Sequence, residues 1–133
     1  MKHLIFKIGE YYLAIKSHAV GKICLFDGGE DPANGLVSLA RIMGLNARER
    51  HFLEIKPEAI GAKEDELYLI VSEVEDEVDF EDSFWFKAPR FIERSFEAKI
   101  YDGTAFWNEE PIFRIAPMMI WQNMPRYIKG SAA

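Results

Sequence analysis

The sequence predicts an all-β, mainly antiparallel fold with one or two short helices, organised as one domain over residues 1–133. Three observations carry that prediction. Short runs of β-type residues alternate in polarity along most of the chain. Clusters of Gly, Pro, Asn and Asp separate those runs at short intervals. An apolar share of 49%, with ten Phe among 133 residues, supplies enough buried area to offset the conformational entropy of folding. The length suits one compact domain, or two very small barrels sharing a core.

His3 to Ile8 and Tyr11 to Lys16 flank Gly9-Glu10 and read as a β-hairpin. Ser17 to Val20 makes a short turn, and Gly21 to Phe26 resumes an extended pattern. Asp27 to Asn34 is a surface loop by composition. Gly35 to Leu45 begins as a strand and passes into a short helix, with Leu39, Ile42 and Met43 on one side and Gly44 at its stop. His51 to Ile55 alternates again. After a polar connection, Glu66 to Val74 is the most apolar segment and is expected as a central strand, with Glu75 to Asp82 as its antiparallel partner. Pro89 leads a turn, Asp102-Gly103 is expected to turn a hairpin between Ser95–Tyr101 and Thr104–Trp107, and Glu110 to Ile115 completes the sheet. Pro117 opens a short helix, and residues 129–133 should fray.

Charge and composition exclude several roles. A net charge of -6 is a poor match for a phosphate backbone, which requires clustered cations. No apolar run approaches the roughly 18 to 20 residues that span a bilayer, and Met1-Lys2-His3 leads into a strand-like alternation, so the expected location is cytoplasmic. Cys24 is the single cysteine and cannot form an intramolecular disulfide or a thiolate zinc site. His3, His18 and His51 lie in separate elements, without the paired helical spacing of zinc hydrolases. The glycines match neither a Rossmann nor a P-loop pattern.

The acids from Glu73 to Asp82 lack the glycine and closing glutamate of an EF-hand and read as a solvated strand face. No catalytic residue, cofactor or metal site is expected. Phe84-Trp85-Phe86 cannot all point inward from a strand, so burial of all three requires a bend or a position between two barrels; otherwise at least one is exposed. Trp85, Trp107 and Trp121 motivate an alternative, a small-ligand barrel with an aromatic-lined pocket. Asp102, Glu109 and Glu110 are the only support for an enzyme.

The order of the segments resembles the CheW-like family, adaptor domains that link chemoreceptors to the histidine kinase CheA. Leu4 to Ile15 looks like its opening hairpin, His18 to Ile23 like the following turn, and Leu36 to Leu45 like its short strand and helical turn ending in Gly-Leu. Leu69 to Val78 looks like its buried strand ending at an Asp-Glu-Val corner. The resemblance implies two intertwined five-stranded barrels and a non-catalytic scaffold without cofactors. Its implied partners are a CheA-like kinase, a chemoreceptor-like protein or another CheW-like domain, with no nucleic acid and no membrane insertion. The partner-binding residues it implies are Val20, Lys22, Ile23, Leu36 and Val37. Two departures fall where function would be read. The family's Asn-Leu-Arg-Gly turn has no counterpart here, and its Glu after the first hairpin corresponds to Lys22, which reverses a charge.

Overall fold

A computed structural model of the chain describes residues 1–26, 36–61, 67–86 and 100–123. Among these, one sheet of five strands joins β1 (Lys2–Ile8), β2 (Tyr11–Lys16), β7 (Glu73–Asp79), β8 (Tyr101–Trp107) and β9 (Glu110–Ile115) in the order β7-β1-β2-β9-β8. A second sheet of four strands joins β3 (Val20–Leu25), β4 (Leu36–Ser38), β5 (His51–Ile55) and β6 (Leu67–Val71) in the order β3-β5-β6-β4. Two pairs, β2 with β9 and β4 with β6, are parallel; the other ladders are antiparallel. Two short helices, α1 (Leu39–Ile42) and α2 (Pro117–Gln122), complete the expected all-β class.

The opening hairpin forms as read. Ile8 pairs with Tyr11 across a turn in which Gly9 takes φ +59°, a left-handed conformation that glycine adopts without a Cβ penalty. Ser38 caps α1 by accepting from the Arg41 amide at 3.2 Å, and Gly44 ends that helical stretch at φ +70°. Pro117 sits in the first turn of α2, where its missing N–H costs nothing.

Two expectations are corrected. Glu73–Asp79 does not pair with the strand before it: β6 belongs to the four-stranded sheet, whereas β7 pairs with β1 in the other. The chain changes sheets at Ser72, whose amide donates to the Lys7 carbonyl at 3.0 Å and whose hydroxyl accepts from the Gly9 amide at 3.0 Å. Those bonds satisfy the crossing backbone and divert it towards the first hairpin. Asp102-Gly103 does not turn either. Strand β8 runs through it, the ladder shifts register between Tyr101 and Gly103, and the turn lies at Asn108-Glu109, both with positive φ. Gly103 lies at that bulge, where a Cβ would meet the Trp85 Cβ and the Arg114 guanidinium at an ordinary contact distance of 3.5 Å. The Pro89 turn, Ser95–Lys99, the Asp27–Asn34 loop and the 129–133 tail lie outside the described residues.

The barrels also need correction, because neither sheet closes among the described residues. After β7 the chain leaves the ladder through a 3₁₀ turn at Asp82–Phe84, and among the described residues Phe86 returns, exchanging two backbone hydrogen bonds of 2.9 and 2.8 Å with Thr104 of β8.

Two cores result. The larger draws Leu4, Phe6 and Ile8 of β1, Leu53 and Ile55 of β5, and Leu67, Leu69 and Val71 of β6 between the sheets. The smaller, on the other face of the five-stranded sheet, gathers Ile5, Ala14, Ala105, Ile112 and Phe80, with Trp85 and Trp107 against it. His3 is buried beside this cluster, its ring 5.6 Å from Phe80 and 5.0 Å from Trp85, with Nδ1 3.0 Å from the Met1 carbonyl oxygen and Nε2 unpartnered. Phe84 stacks on Phe80 at 4.3 Å.

Burial holds the His3 pKa below its ordinary 6.5, outweighing the opposing hydrogen bond to Met1. The unfolded chain therefore takes up a proton near pH 6.5 that the folded chain resists. Stability from this group is complete above that value, declines as pH falls towards the lower folded pKa, and levels off beneath it. Urea midpoints followed from about pH 7.5 to about pH 5 should show that decline, and His3→Phe should flatten it whatever its absolute stability. At the β8–β9 turn, Glu109→Gly should raise stability by about 1 kcal/mol, read as a higher melting temperature, because a side chain at φ +67° is strained and glycine is not.

Candidate partner-binding surface

Strand β3 is an edge of the four-stranded sheet, and its ladder with β5 is interrupted where the sequence places Gly21. Val20 pairs with Ile55 and Lys22 with Glu54, so Gly21 bulges out of register. A Cβ on Gly21 would stand 2.8 Å from the Glu54 carboxylate, the flexible end of a side chain that can rotate aside. The register sets Val20 beside Ile55 and Ile23 beside Leu53, both core residues, yet no further strand covers their outer flank among the described residues. Ile23 is 46% exposed and Leu25 76% exposed as a result.

An open groove of about 220 Å³ runs between this strand and the β1–β7 pair, lined by Leu4, Val20, Lys22, Ile23 and Glu77, among others. Apolar walls with one cation and one carboxylate suit a protein side chain better than a reacting substrate. Three of the five residues expected from the sequence meet here.

The other two are elsewhere. Leu36 pairs with Tyr68, and Tyr68 with Glu54, which in turn faces Lys22. Lys22 and Leu36 thus end one cross-strand row on the outer face of the sheet, three ladder spacings or roughly 14 Å apart. Phe52 and Tyr68 meet edge to face on the strands between them, at 5.7 Å. Val37 pairs with Leu69 and is fully buried, so it forms part of the core and offers no surface.

The remaining candidates are dispersed. His3 is buried, His18 exposed and His51 half-buried, and among the described residues no three metal-ligating side chains come together. Asp102 accepts from the Arg114 Nε at 2.7 Å, while Glu109 and Glu110 sit at the opposite end of β8. The Arg114 guanidinium lies 5.0 Å from the Trp85 ring and holds it against the small core. Trp107 packs on that same core and Trp121 on the larger one, so the three tryptophans do not line one cavity. No helix of the described residues is long and apolar enough to cross a membrane.

Two exposed apolar features lie outside the expected partner-binding set. Phe86 and Phe106 are 47% and 63% exposed with ring centroids 6.2 Å apart. Phe84 and Trp85 are half-buried, so the aromatic run is partly exposed and not wholly enclosed. Leu25 was legible only as one apolar residue in a strand; its exposure follows from edge position, which depends on pairing across the chain.

The chain is similar in structure to the scaffolding protein TtCheW from Thermoanaerobacter tengcongensis. Its crystal structure matches with a TM-score of 0.65 over 86% of this chain and 82% of that one. The fold is CheW-like. Sequence identity over the match is 15%, so the likeness is one of backbone architecture. No family model and no curated protein matches the sequence. In this CheW-like frame, wall and surface are separable by substitution. Val37→Asp should cost at least about 3 kcal/mol by burying an unpaired charge, whereas Ile23→Asp should change stability by no more than about 0.5 kcal/mol. Denaturant titration of both variants reads the difference.

Proposed function

We propose that the chain is a non-catalytic signalling adaptor that docks a partner protein in the groove at the β3 edge. The observation that carries this reading is the joining of Val20, Lys22 and Ile23 in one apolar groove beside a strand edge that no further strand covers among the described residues. Exposed apolar side chains in a concavity supply the desolvated contact that anchors an interface, and charges beside them orient the partner. The similar fold of TtCheW, described as a scaffolding protein, supports the same direction.

The partner classes proposed are a CheA-like histidine kinase, a chemoreceptor-like protein and another CheW-like domain, met in the cytoplasm by one domain spanning the whole chain. Lys22 adjusts this role. A cation where the family carries Glu changes steering and specificity more than contact area. Leu36, on the outer face, adds a second and separate contact.

Titration of the full chain against purified members of the three partner classes tests the reading. Binding to at least one is expected, with Ile23→Asp and Val20→Asp weakening it at least about 10-fold, equivalent to about 1.4 kcal/mol. Lys22→Glu should change the association rate and its salt dependence more than the dissociation rate. Absence of binding in all three classes, or binding indifferent to both Asp substitutions, would contradict the proposal.

A further inference from the structure

We propose that a second site, at the junction of the two sheets, binds a phosphate group. A cavity of about 300 Å³ there is lined by Lys7, Gly9, Arg48, Arg50, Ser72 and Glu73. Three cations face one carboxylate, in a chain where acids outnumber bases 22 to 16. That local reversal of charge sets the cavity apart from the rest of the surface.

The cations are largely uncommitted. Arg50 approaches Glu73 at 3.8 Å, an ion pair beyond hydrogen-bond distance, with both side chains about half exposed. Neither Arg48 nor Lys7 has a carboxylate partner among the described residues; the Lys7 ammonium lies 5.2 Å from the Tyr12 ring. The walls are fixed before any ligand arrives. Gly9 donates to the Ser72 hydroxyl, Ser72 donates to the Lys7 carbonyl, and the Arg50 amide donates to the Val71 carbonyl at 3.0 Å. Because the Ser72 oxygen accepts from Gly9, its own proton is available to donate into the cavity.

A compact, multiply charged anion uses this arrangement best. Two guanidinium groups offer forked donors, one ammonium adds a point charge, and a hydroxyl completes the set; a single carboxylate would leave part of that capacity unused. Glu73 is the internal competitor, since it neutralises Arg50 and repels an incoming anion. The lining comes from β1, β7, the crossing residue and the segment before β5, so a bound phosphate bridges both sheets and stabilises the fold by linkage. This site shares no residue with the β3 groove and does not depend on the adaptor reading.

The test is calorimetric and thermal titration of the full chain with inorganic phosphate, against chloride at matched ionic strength. A parallel arm uses a phosphoserine peptide and its unphosphorylated counterpart. Phosphate should raise the melting temperature where chloride does not. Arg48→Gln combined with Arg50→Gln should weaken binding by about 10-fold or more, and Glu73→Gln should tighten it several-fold. Tighter binding of the phosphopeptide than of inorganic phosphate identifies a phosphorylated side chain as the source, and the reverse identifies a free phosphate; both uphold the site. Equal effects of phosphate and chloride overturn it, as does phosphate binding that responds to neither the arginine nor the Glu73 substitution.

Discussion

Burial of β1 on both faces is the constraint from which the rest of the molecule follows. Leu4, Phe6 and Ile8 enter the large core between the sheets, while Ile5 enters the small core behind, with His3 beside it. A strand dry on both sides needs neighbours on both edges, and β2 and β7 supply them. Since β7 directly follows β6 of the other sheet, the chain has to change sheets at a single residue, Ser72. The two hydrogen bonds there hold that crossing to the turn end of the first hairpin.

The free edges follow from this arrangement. Among the described residues, with β1 central in its sheet, β7 and β8 become its ends; with β5 and β6 central in the other, β3 and β4 become its ends. An end strand has one flank without a ladder, which proteins commonly blunt by charge, bulge or cover. Strand β7 carries acids along its exposed positions. Strand β3 carries a glycine bulge and Lys22, but also leaves Ile23 and Leu25 in solvent. Apolar exposure at an edge is costly to solubility unless another surface covers it, and an open groove lies beside Ile23.

Local chemistry made much of this legible in the sequence. The Gly9 hairpin, the Gly44 stop and the Pro117 helix start each rest on a backbone preference set by a single residue and its neighbours. What failed was pairing at a distance. Glu73–Asp79 has strand alternation whichever strand it joins, and its polarity does not show that its partner is β1 and not β6. Asp102-Gly103 has the composition of a hairpin turn, yet β8 runs through it and shifts register against β9 there, a pairing that composition does not fix. The true turn, Asn108-Glu109, puts a glutamate at positive φ, which no composition rule favours. The residues expected to bind a partner divided in the same way: Val20, Lys22 and Ile23 lie on one short strand and line one groove, while Leu36 and Val37 could be sorted into surface and core only by the register with β6.

The proposed docking lies on a sheet edge that the topology leaves uncovered among the described residues, with the body of the fold as its support. Amide hydrogen exchange of the full chain, free and with a bound partner, tests this most directly. Protection gained on Val20–Leu25 and along the facing part of β7, with the core strands β5 and β6 unchanged, is the outcome that the account requires. Protection confined to surfaces away from β3 would contradict it.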